Sequence, residues 1–364
     1  MRSKYLKILR QKIREGDLLW FPKNAVRMAG VVASAYLNKN VVGPVNVIIV
    51  PSWRCNSLCK MCDLAKKPSA GEMDFNEFKR IVDELADIGA SVFSFFGGEP
   101  FVREDILEMI SYVRSKHLIT QISTNGIILS DKKLARKLVE TNCDIITFSL
   151  DCMDSVTYKR IRGVDKFNET IEGIQNTIYF RDLLKKQTAI NVNFVVMDEN
   201  IDDAMEIIKF IKSLGIDLVT SYPIVELGYL KNYQSNEFNK KLVDLFKELK
   251  KIKDRNNVLD ISIEYLDYII KRITDKRPRV KCFAPISDIH IDPFGNVFPC
   301  IHFLGKEKAV GNIKGKSIRE FWYGKNYAAL RKQLANCDQC DYMCHVEPAL
   351  FFNKFWFKSN TKKA

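Results

Sequence analysis

Short apolar runs alternate with longer amphipathic stretches from about residue 45 to residue 251 of this 364-residue chain. The short runs are rich in β-branched residues and predict six strands: Val45 to Ser52, Ser91 to Gly97, Ile119 to Ser123, Asp144 to Asp151, Ala189 to Met197 and Leu218 to Val225. The amphipathic stretches predict helices: Phe75 to Asp87, Glu104 to Lys116, Asp131 to Thr141, Asn168 to Lys185, Ile201 to Leu214 and, after the last strand, Glu237 to Lys251. This alternation predicts an α/β fold whose parallel sheet curls into a barrel or partial barrel, with its chemistry at the carboxyl ends of the strands.

A second, smaller unit follows the predicted barrel. It contains strand-like runs at Ile289 to Asp292 and Val297 to Pro299, joined by a turn at Pro293 to Asn296. About 60 residues bury little core, so its five cysteines predict a metal staple. The predicted organisation is an N-terminal extension, a barrel, a charged bridge, the small unit and a tail, at residues 1–44, 45–254, 255–281, 282–345 and 346–364.

Composition adds few constraints, since 46% hydrophobic and 28% charged residues are typical of a folded soluble protein. The longest apolar run, Met28 to Leu37, has ten residues, too few for a membrane span, and no secretion signal is recognisable. The net charge of +13 is concentrated at the two ends of the chain. A near-neutral middle argues against a nucleic-acid-binding channel and favours surface attachment through the ends.

Eight of the ten cysteines fall into two groups, a pattern that favours metal over disulfides in a chain without a secretion signal. The first cysteine group, Cys55, Cys59 and Cys62, has CxxxCxxC spacing directly after the first predicted strand. Three thiolates can hold three irons of a cubane and leave the fourth iron open to a ligand. The alternative is zinc, which normally needs a fourth ligand close by.

With this motif and those that follow it, residues 45–225 resemble the radical S-adenosylmethionine (SAM) superfamily. The resemblance implies a partial (β/α)6 TIM-like barrel, a 4Fe-4S cluster on the first cysteine group and SAM on its open iron. In that family, one-electron cleavage of SAM gives a 5'-deoxyadenosyl radical that abstracts hydrogen from an unactivated carbon. The expected reductant is a flavodoxin or ferredoxin, and oxygen-labile clusters suggest the cytoplasm.

The same resemblance assigns the SAM-binding residues. Gly97, Gly98, Glu99 and Pro100 match the family's GGEP motif, which binds the SAM amino group; Ser123, Asn125, Ser149 and Asp151 match motifs that hold the ribose; and Arg162 matches an arginine that pairs with the carboxylate. Arg162 could instead be a solvated surface residue. Asn191 and Asn193 could face adenine or solvent. One departure is Met61, where the family usually has an aromatic residue.

The second cysteine group comprises Cys282, Cys300, Cys337, Cys340 and Cys344. It resembles the C-terminal twitch/SPASM-like iron-sulfur domain of the superfamily. Five cysteines are too few for the two clusters of a full SPASM unit, so the resemblance implies one auxiliary 4Fe-4S cluster. Cys282 and Cys300 are two expected ligands, and the other two could be any of Cys337, Cys340 and Cys344. A zinc staple is the alternative. His302 and His345 could join the site, and Cys152 could be a catalytic thiol, whereas Cys143 is expected to be buried.

The two ends of the chain bear on the identity of the substrate but do not decide it. Residues 2–14 predict a basic amphipathic helix, and Leu350 to Lys358 adds aromatic residues among lysines. Both segments suit the inner face of an anionic membrane, or they pack on the barrel. Membrane contact would indicate a lipid or lipid-linked substrate. The alternatives are peptide maturation and carbohydrate alcohol dehydrogenation and, outside enzymes, a metal-stapled nucleic-acid-binding protein, although no nucleic-acid partner is expected.

Overall fold

The chain folds around one nine-stranded sheet in the order β6-β5-β4-β3-β2-β1-β7-β8-β9. The computed structural model describes residues 9, 12–13, 16–17, 19–223, 236–255, 259–274, 278, 280–305, 309–334, 337 and 340–360. The strands are β1 Asn46–Ile49, β2 Val92–Phe95, β3 Ile119–Thr124, β4 Ile145–Ser149, β5 Ala189–Val196, β6 Leu218–Pro223, β7 Asp288–Ile291, β8 Asn296–Phe298 and β9 Gly311–Asn312.

Helices follow the strands of the parallel part and cover its outer face. They are α1 Trp20–Leu37, α2 Phe75–Asp87, α3 Ile106–Ser115, α4 Lys132–Glu140, α5 Ser155–Arg162, α6 Phe167–Leu183, α7 Ala204–Ser213, α8 Asn236–Arg255, α9 Ile263–Ile273, α10 Ala284–Ser287, α11 Ile318–Tyr323, α12 Lys325–Gln333 and α13 Met343–Asn360. Aspartates cap several of them; the Asp74 carboxylate, for example, accepts from Glu77 N at the start of α2. Strands β1 to β6 are parallel and adjacent in chain order, which confirms the predicted partial barrel.

The two faces of the sheet differ in polarity. On β5, Ile190, Val192 and Phe194 are fully buried in the main core between sheet and helices. Because successive side chains of a strand point to opposite faces, Asn191 and Asn193 lie on the inner face. The predicted strands are therefore correct in type, and their alternation decides which residues can line a site.

The small C-terminal unit continues this sheet. Strand β7 pairs in parallel with β1, and β8 pairs with β7 as an antiparallel hairpin over the predicted turn. The side chains of Ile289 and Ile291 join the main core. The sheet therefore runs unbroken across the sequence boundary expected at residue 282.

The described parts of the two ends pack on the protein. Val31 and Ala35 of α1 form a buried cluster with Ala349 and Phe352 of α13. The predicted helix over residues 2–14 lies largely outside the described residues, as do the side chains of residues 354–358. Among the helices that the structure describes, none is long and apolar enough to cross a membrane.

Candidate active site

The loop that carries the first cysteine group follows β1 at the carboxyl end of the sheet. Its backbone pairs with the last turn of α5: Leu58 N donates to Arg162 O at 3.0 Å and Lys60 N donates to Ile161 O at 2.9 Å. These bonds tether the cysteine loop to the helix that follows β4, so the two strand ends approach one another.

The three thiols of this group are partly accessible and lie within electrostatic range of each other. Burial raises the pKa of Cys55 to about 12; the Ser57 N–H lowers it, while Glu99 and the other two thiols add to the rise. Burial also raises the pKa of Cys62. Iron-sulfur clusters bind cysteine as thiolate, and the metal charge relieves both burial and mutual repulsion. The donor set therefore fits a cubane held by three sulfurs.

The Gly-Gly-Glu-Pro loop closes on the chain that leads into the cysteine loop. Gly98 N donates to Ser52 O at 3.2 Å, and Glu99 N donates to Arg54 O at 2.8 Å. A Cβ at Gly98 would lie 2.1 Å from the Arg54 carbonyl oxygen, and Gly97 adopts a φ of +139°. The glycines thus allow a close approach to the protein's own backbone, in addition to any ligand that the motif binds.

Glu99 is almost fully buried, and its carboxylate accepts three hydrogen bonds. The donors are Thr124 Oγ1 at 2.8 Å, Asn125 N at 2.7 Å and Phe101 N at 3.2 Å. Burial raises the pKa of Glu99 to about 7, although all three bonds lower it. A buried carboxylate of this kind favours a cationic partner such as an ammonium group. Thr124 is a site residue that sequence reasoning missed, although it lies between two predicted ones.

The Asn125 side chain connects the end of β3 to the cysteine loop. Its Nδ2 donates to Asn56 Oδ1 at 2.6 Å and to Ser57 Oγ at 3.2 Å, while its Oδ1 accepts from Ile127 N at 3.0 Å. The amide therefore positions the cysteine loop. The ribose contacts expected for Asn125 and for Ser123 stay predictions.

Asp151 and Arg162 form a buried ion pair at the end of β4. Arg162 is 7% exposed, so its interpretation as a solvated surface residue is wrong. Its Nη1 lies 3.7 Å from Cys59 Sγ, and Asp151 Oδ1 accepts from Val195 N at 2.9 Å. Burial alone would lower the pKa of Arg162, but Asp151 and Cys59 raise it above its ordinary value. The pair therefore places a fixed cation beside the first cysteine group, and its contacts with SAM stay predictions.

Met61 lies in a small apolar cluster beside the cysteines. Ile161 and Met197 are buried with it, and Val195 and Cys59 pack against them. The cluster provides an apolar surface where the family usually has an aromatic residue. Adenine packing there stays a prediction.

The inner face of the sheet is polar near the carboxyl ends of β3 to β6. Two rows of register partners cross it: Ser123, Thr147 and Asn191, followed by Ser149, Asn193 and Thr220. Asn191 Nδ2 donates to Thr220 Oγ1 at 3.1 Å, but Asn191 Oδ1 is buried without a hydrogen-bond partner. At the amino end, apolar side chains around Trp20 close the barrel. The open end therefore offers polar groups to an occupant.

Tyr222 is a second residue that the sequence did not reveal. It pairs in register with Val195 at the end of β6, on the inner face. Burial raises the pKa of Tyr222, which also lies within electrostatic range of Asp151, Arg162 and Cys344. Its side chain is therefore near both the Asp151–Arg162 pair and Cys344 of the second cysteine group. No local sequence motif predicts this role for Tyr222, because its neighbours come from strand register and from the C-terminal unit.

The second cysteine group converges in space. The Cys282 thiol is within electrostatic range of those of Cys340, Cys337 and Cys300, and the Cys344 thiol is within range of Cys300 and Cys282. Burial raises the pKa of Cys300 to about 11. No group of three or more His, Cys, Asp or Glu side chains in the described part of the chain is arranged to hold a metal ion. A cubane is larger than a single ion and places each thiolate on a separate iron, so thiols that approach one another without forming a single-ion site are compatible with a cluster.

The neighbouring histidines are differently placed. His345 Nε2 accepts from Ile301 N at 3.3 Å, and its Nδ1 lies 3.2 Å from Asp288 Oδ2, so protein groups occupy both ring nitrogens. His302 is exposed and packs edge-on against Phe303, with ring centroids 5.6 Å apart. Neither arrangement favours a metal ligand.

The two isolated cysteines are buried. The Cys143 thiol donates to backbone carbonyls and packs in the main core, as expected. Cys152 is 1% exposed, and burial raises its pKa to about 12. A buried thiol that stays protonated is a poor nucleophile, which argues against a catalytic role.

Comparison with known proteins identifies the class. Residues 49–211 match the family model of the radical SAM superfamily, and residues 282–345 match that of SPASM, an iron-sulfur cluster-binding domain. The tungsten-containing aldehyde ferredoxin oxidoreductase cofactor-modifying protein of Pyrococcus furiosus is 27% identical over 76% of this chain and 80% of its own length. An AdoMet-dependent heme synthase of Methanosarcina barkeri is 24% identical over 79% and 86%. SuiB of Streptococcus suis, solved with its precursor peptide SuiA, has a TM-score of 0.65 at 20% identity, covering 86% of this chain and 75% of that one.

The protein is thus a radical SAM enzyme with a C-terminal SPASM domain, and the resemblance drawn from its motifs is confirmed. This membership implies a 4Fe-4S cluster, SAM and auxiliary iron-sulfur binding. Within each cysteine group the thiols lie in electrostatic range of one another, and Glu99 is within range of Cys55; that these residues hold the clusters and SAM stays a prediction.

Proposed function

We propose that this enzyme removes hydrogen from an unactivated carbon of a polar substrate bound between its two cysteine groups. The main support for this proposal is the polar inner face of the sheet, where Asn191 Oδ1 is buried without a hydrogen-bond partner. A hydrocarbon chain would leave that acceptor and the neighbouring rows of hydroxyls and amides unsatisfied. A lipid-linked substrate, as the charged ends suggested, would therefore present its polar headgroup to the barrel.

The first cysteine group would hold the 4Fe-4S cluster, and Glu99 would hold the amino group of SAM. When bound, these groups supply an organic radical strong enough to take hydrogen from carbon. The protein's own contribution is positioning. Asn125 and the end of α5 fix the cysteine loop, and the Asp151–Arg162 pair fixes a positive charge beside Cys59.

The second cysteine group would hold one auxiliary 4Fe-4S cluster, through four of its five members. This group lies near Tyr222, and Tyr222 is on the inner face of the sheet. A cluster there would suit an acceptor of the electron left on the substrate after hydrogen removal. A flavodoxin or ferredoxin in a reducing cytoplasm would supply the electron that initiates each turnover. Double replacement of Cys337 and Cys340, compared with replacement of Cys344 alone, would identify the ligands by iron content.

Peptide maturation is the second candidate. SuiB has a fold similar to that of this chain, and SuiB binds a precursor peptide. A peptide backbone is also polar and would satisfy the same inner face. The heme synthase relative instead favours a compact, non-peptide substrate.

Deuterium transfer distinguishes these substrate classes. Perdeuterated cells of the source organism would be extracted into polar-metabolite, peptide and lipid fractions, and each fraction incubated anaerobically with reconstituted enzyme, dithionite and unlabelled SAM. Hydrogen abstraction from a substrate places deuterium in 5'-deoxyadenosine, which mass spectrometry detects. We expect label from the polar-metabolite fraction. Label from the peptide fraction would support the maturase instead. Label from the lipid fraction that is lost when only the headgroups are supplied would contradict the proposal, because the hydrogen would then come from acyl chains.

A further inference from the structure

Helix α1 is apolar on two faces, and among the described residues only one of these faces is covered. Its inner face packs through Val31 and Ala35 against the C-terminal helix. The opposite face leaves two large side chains exposed: Val26 is 70% exposed and Leu37 64%. A helix with a single packing surface would carry polar residues at such positions.

These exposed residues form a stripe along the helix. Positions 22, 26, 29, 33 and 37 follow the three- and four-residue spacing of one helix face; all are apolar, and four of them are exposed. The stripe is about 22 Å long at 1.5 Å per residue. Single exposed apolar residues are ordinary, but a continuous stripe indicates an interaction surface.

The surrounding charge indicates what covers it. Residues 1–40 contain nine Lys or Arg and two acidic residues, and no acidic residue occurs between Asp17 and Asp63. Lys23 and Lys39 are exposed on α1 or just beyond its end. An apolar helical face in a segment with a large excess of cations suits an anionic bilayer surface.

The position of α1 fixes the orientation of the enzyme. Trp20 packs at the amino ends of the strands, and Arg27 Nη1 donates to Ser91 Oγ at 2.7 Å, just before β2. The first cysteine group lies at the opposite, carboxyl end of the sheet. We propose that the exposed stripe of α1 rests on an anionic membrane and so holds the barrel on the membrane by its closed end, with the active site turned toward the aqueous side.

Vesicle flotation tests this surface with the full-length protein. Vesicles of phosphatidylglycerol mixed with phosphatidylcholine would be compared with phosphatidylcholine alone. We expect flotation with the anionic vesicles and much less with the neutral ones. Val26→Asp adds a negative charge to the stripe and should lower the bound fraction by about fivefold or more. The control is Val156→Asp on α5, where the valine is 75% exposed outside the stripe and should bind like wild type.

Equal flotation of wild type and Val26→Asp would overturn the proposal, as would the absence of wild-type binding to anionic vesicles. It would also fail if wild type formed a dimer in sedimentation that Val26→Asp dissociated, because the stripe would then bind a second copy. SAM cleavage to 5'-deoxyadenosine in the absence of vesicles is a separate readout. A negative vesicle result therefore leaves the enzymatic proposal standing, and loss of SAM cleavage leaves the membrane proposal standing.

Discussion

Glu99 shows how one buried group can be prepared for a charged ligand. Three protein donors surround its carboxylate, yet burial dominates and raises its pKa to about 7. The folded protein without ligands therefore holds an acid that ionises reluctantly. An ammonium group bound beside it would stabilise the ionised form, which couples SAM binding to the charge of this residue.

The raised pKa predicts a pH-dependent loss of stability in the ligand-free protein. The Glu99 carboxyl ionises near pH 4.5 in the unfolded chain and near pH 7 in the folded protein. The free energy of unfolding therefore decreases as pH rises through that window. At about 1.4 kcal/mol per pKa unit, the loss is roughly 3 kcal/mol by pH 8. Urea midpoints of wild type should fall relative to Glu99→Gln between pH 5 and pH 8. Parallel curves for the two proteins would refute the raised pKa.

Tyr222 lies on the inner face where the proposed substrate would bind, so we expect its hydroxyl to contact that substrate. Replacement by Phe keeps the ring and removes the hydroxyl, so both cysteine groups should load iron as in wild type. We expect 5'-deoxyadenosine still to form, while deuterium transfer from the active extract fraction falls by about tenfold, the effect of one lost hydrogen bond to substrate. Tyr179→Phe, at a 60% exposed tyrosine, is the matched control. Unchanged transfer in Tyr222→Phe would place the substrate elsewhere.

At the scale of elements, the site depends on two loops that touch. The Gly-Gly-Glu-Pro loop after β2 hydrogen-bonds to the segment that leads into the first cysteine group, and Gly98 permits the contact. The motif therefore has a structural role between two strand ends as well as the ligand role expected from the resemblance.

Gly98→Ala should disrupt the first cluster without removing the second. Its Cβ would lie 2.1 Å from Arg54 O, and relieving that overlap by shifting the loops costs about 1–3 kcal/mol or more. Iron per chain after anaerobic reconstitution should fall by about half. Gly71→Ala is the control for backbone strain without steric overlap: Gly71 has a φ of +83°, but no atom lies within 4 Å of its Cβ position, so this variant should load iron like wild type. Full iron loading of Gly98→Ala would show that the contact is dispensable.

The elements also show what a single sequence can reveal. Strands β1 to β6 were predictable because parallel strands buried on one or both faces are short apolar runs between turns. Helix α5 was missed, since SVTYKRIR has few apolar positions and its clearest signal is the Asp154 cap. The cysteines and Glu99 were recognisable from local motifs. Thr124 and Tyr222 were not, because their roles arise from contacts between segments distant in the chain.

At the scale of the whole molecule, one sheet connects the two cysteine groups. Strand β7 adds the SPASM domain directly to β1, which also leads into the first cysteine group. The auxiliary group is thereby held at a fixed distance from the barrel, as electron transfer through a bound substrate requires. The exposed stripe of α1 lies at the other end of the sheet, so membrane attachment and catalysis use separate surfaces.

The most direct test counts iron and labile sulfide per chain after anaerobic reconstitution and measures 5'-deoxyadenosine formed with dithionite and SAM. Wild type would be compared with the variant in which Cys55, Cys59 and Cys62 are all alanine. If each cysteine group holds one 4Fe-4S cluster, we expect about eight irons in wild type, about four in the variant, and SAM cleavage by wild type alone. About four irons in wild type and none in the variant would contradict an auxiliary cluster on the second cysteine group. Zinc in place of iron at both sites, with no SAM cleavage, would contradict radical SAM chemistry in this protein.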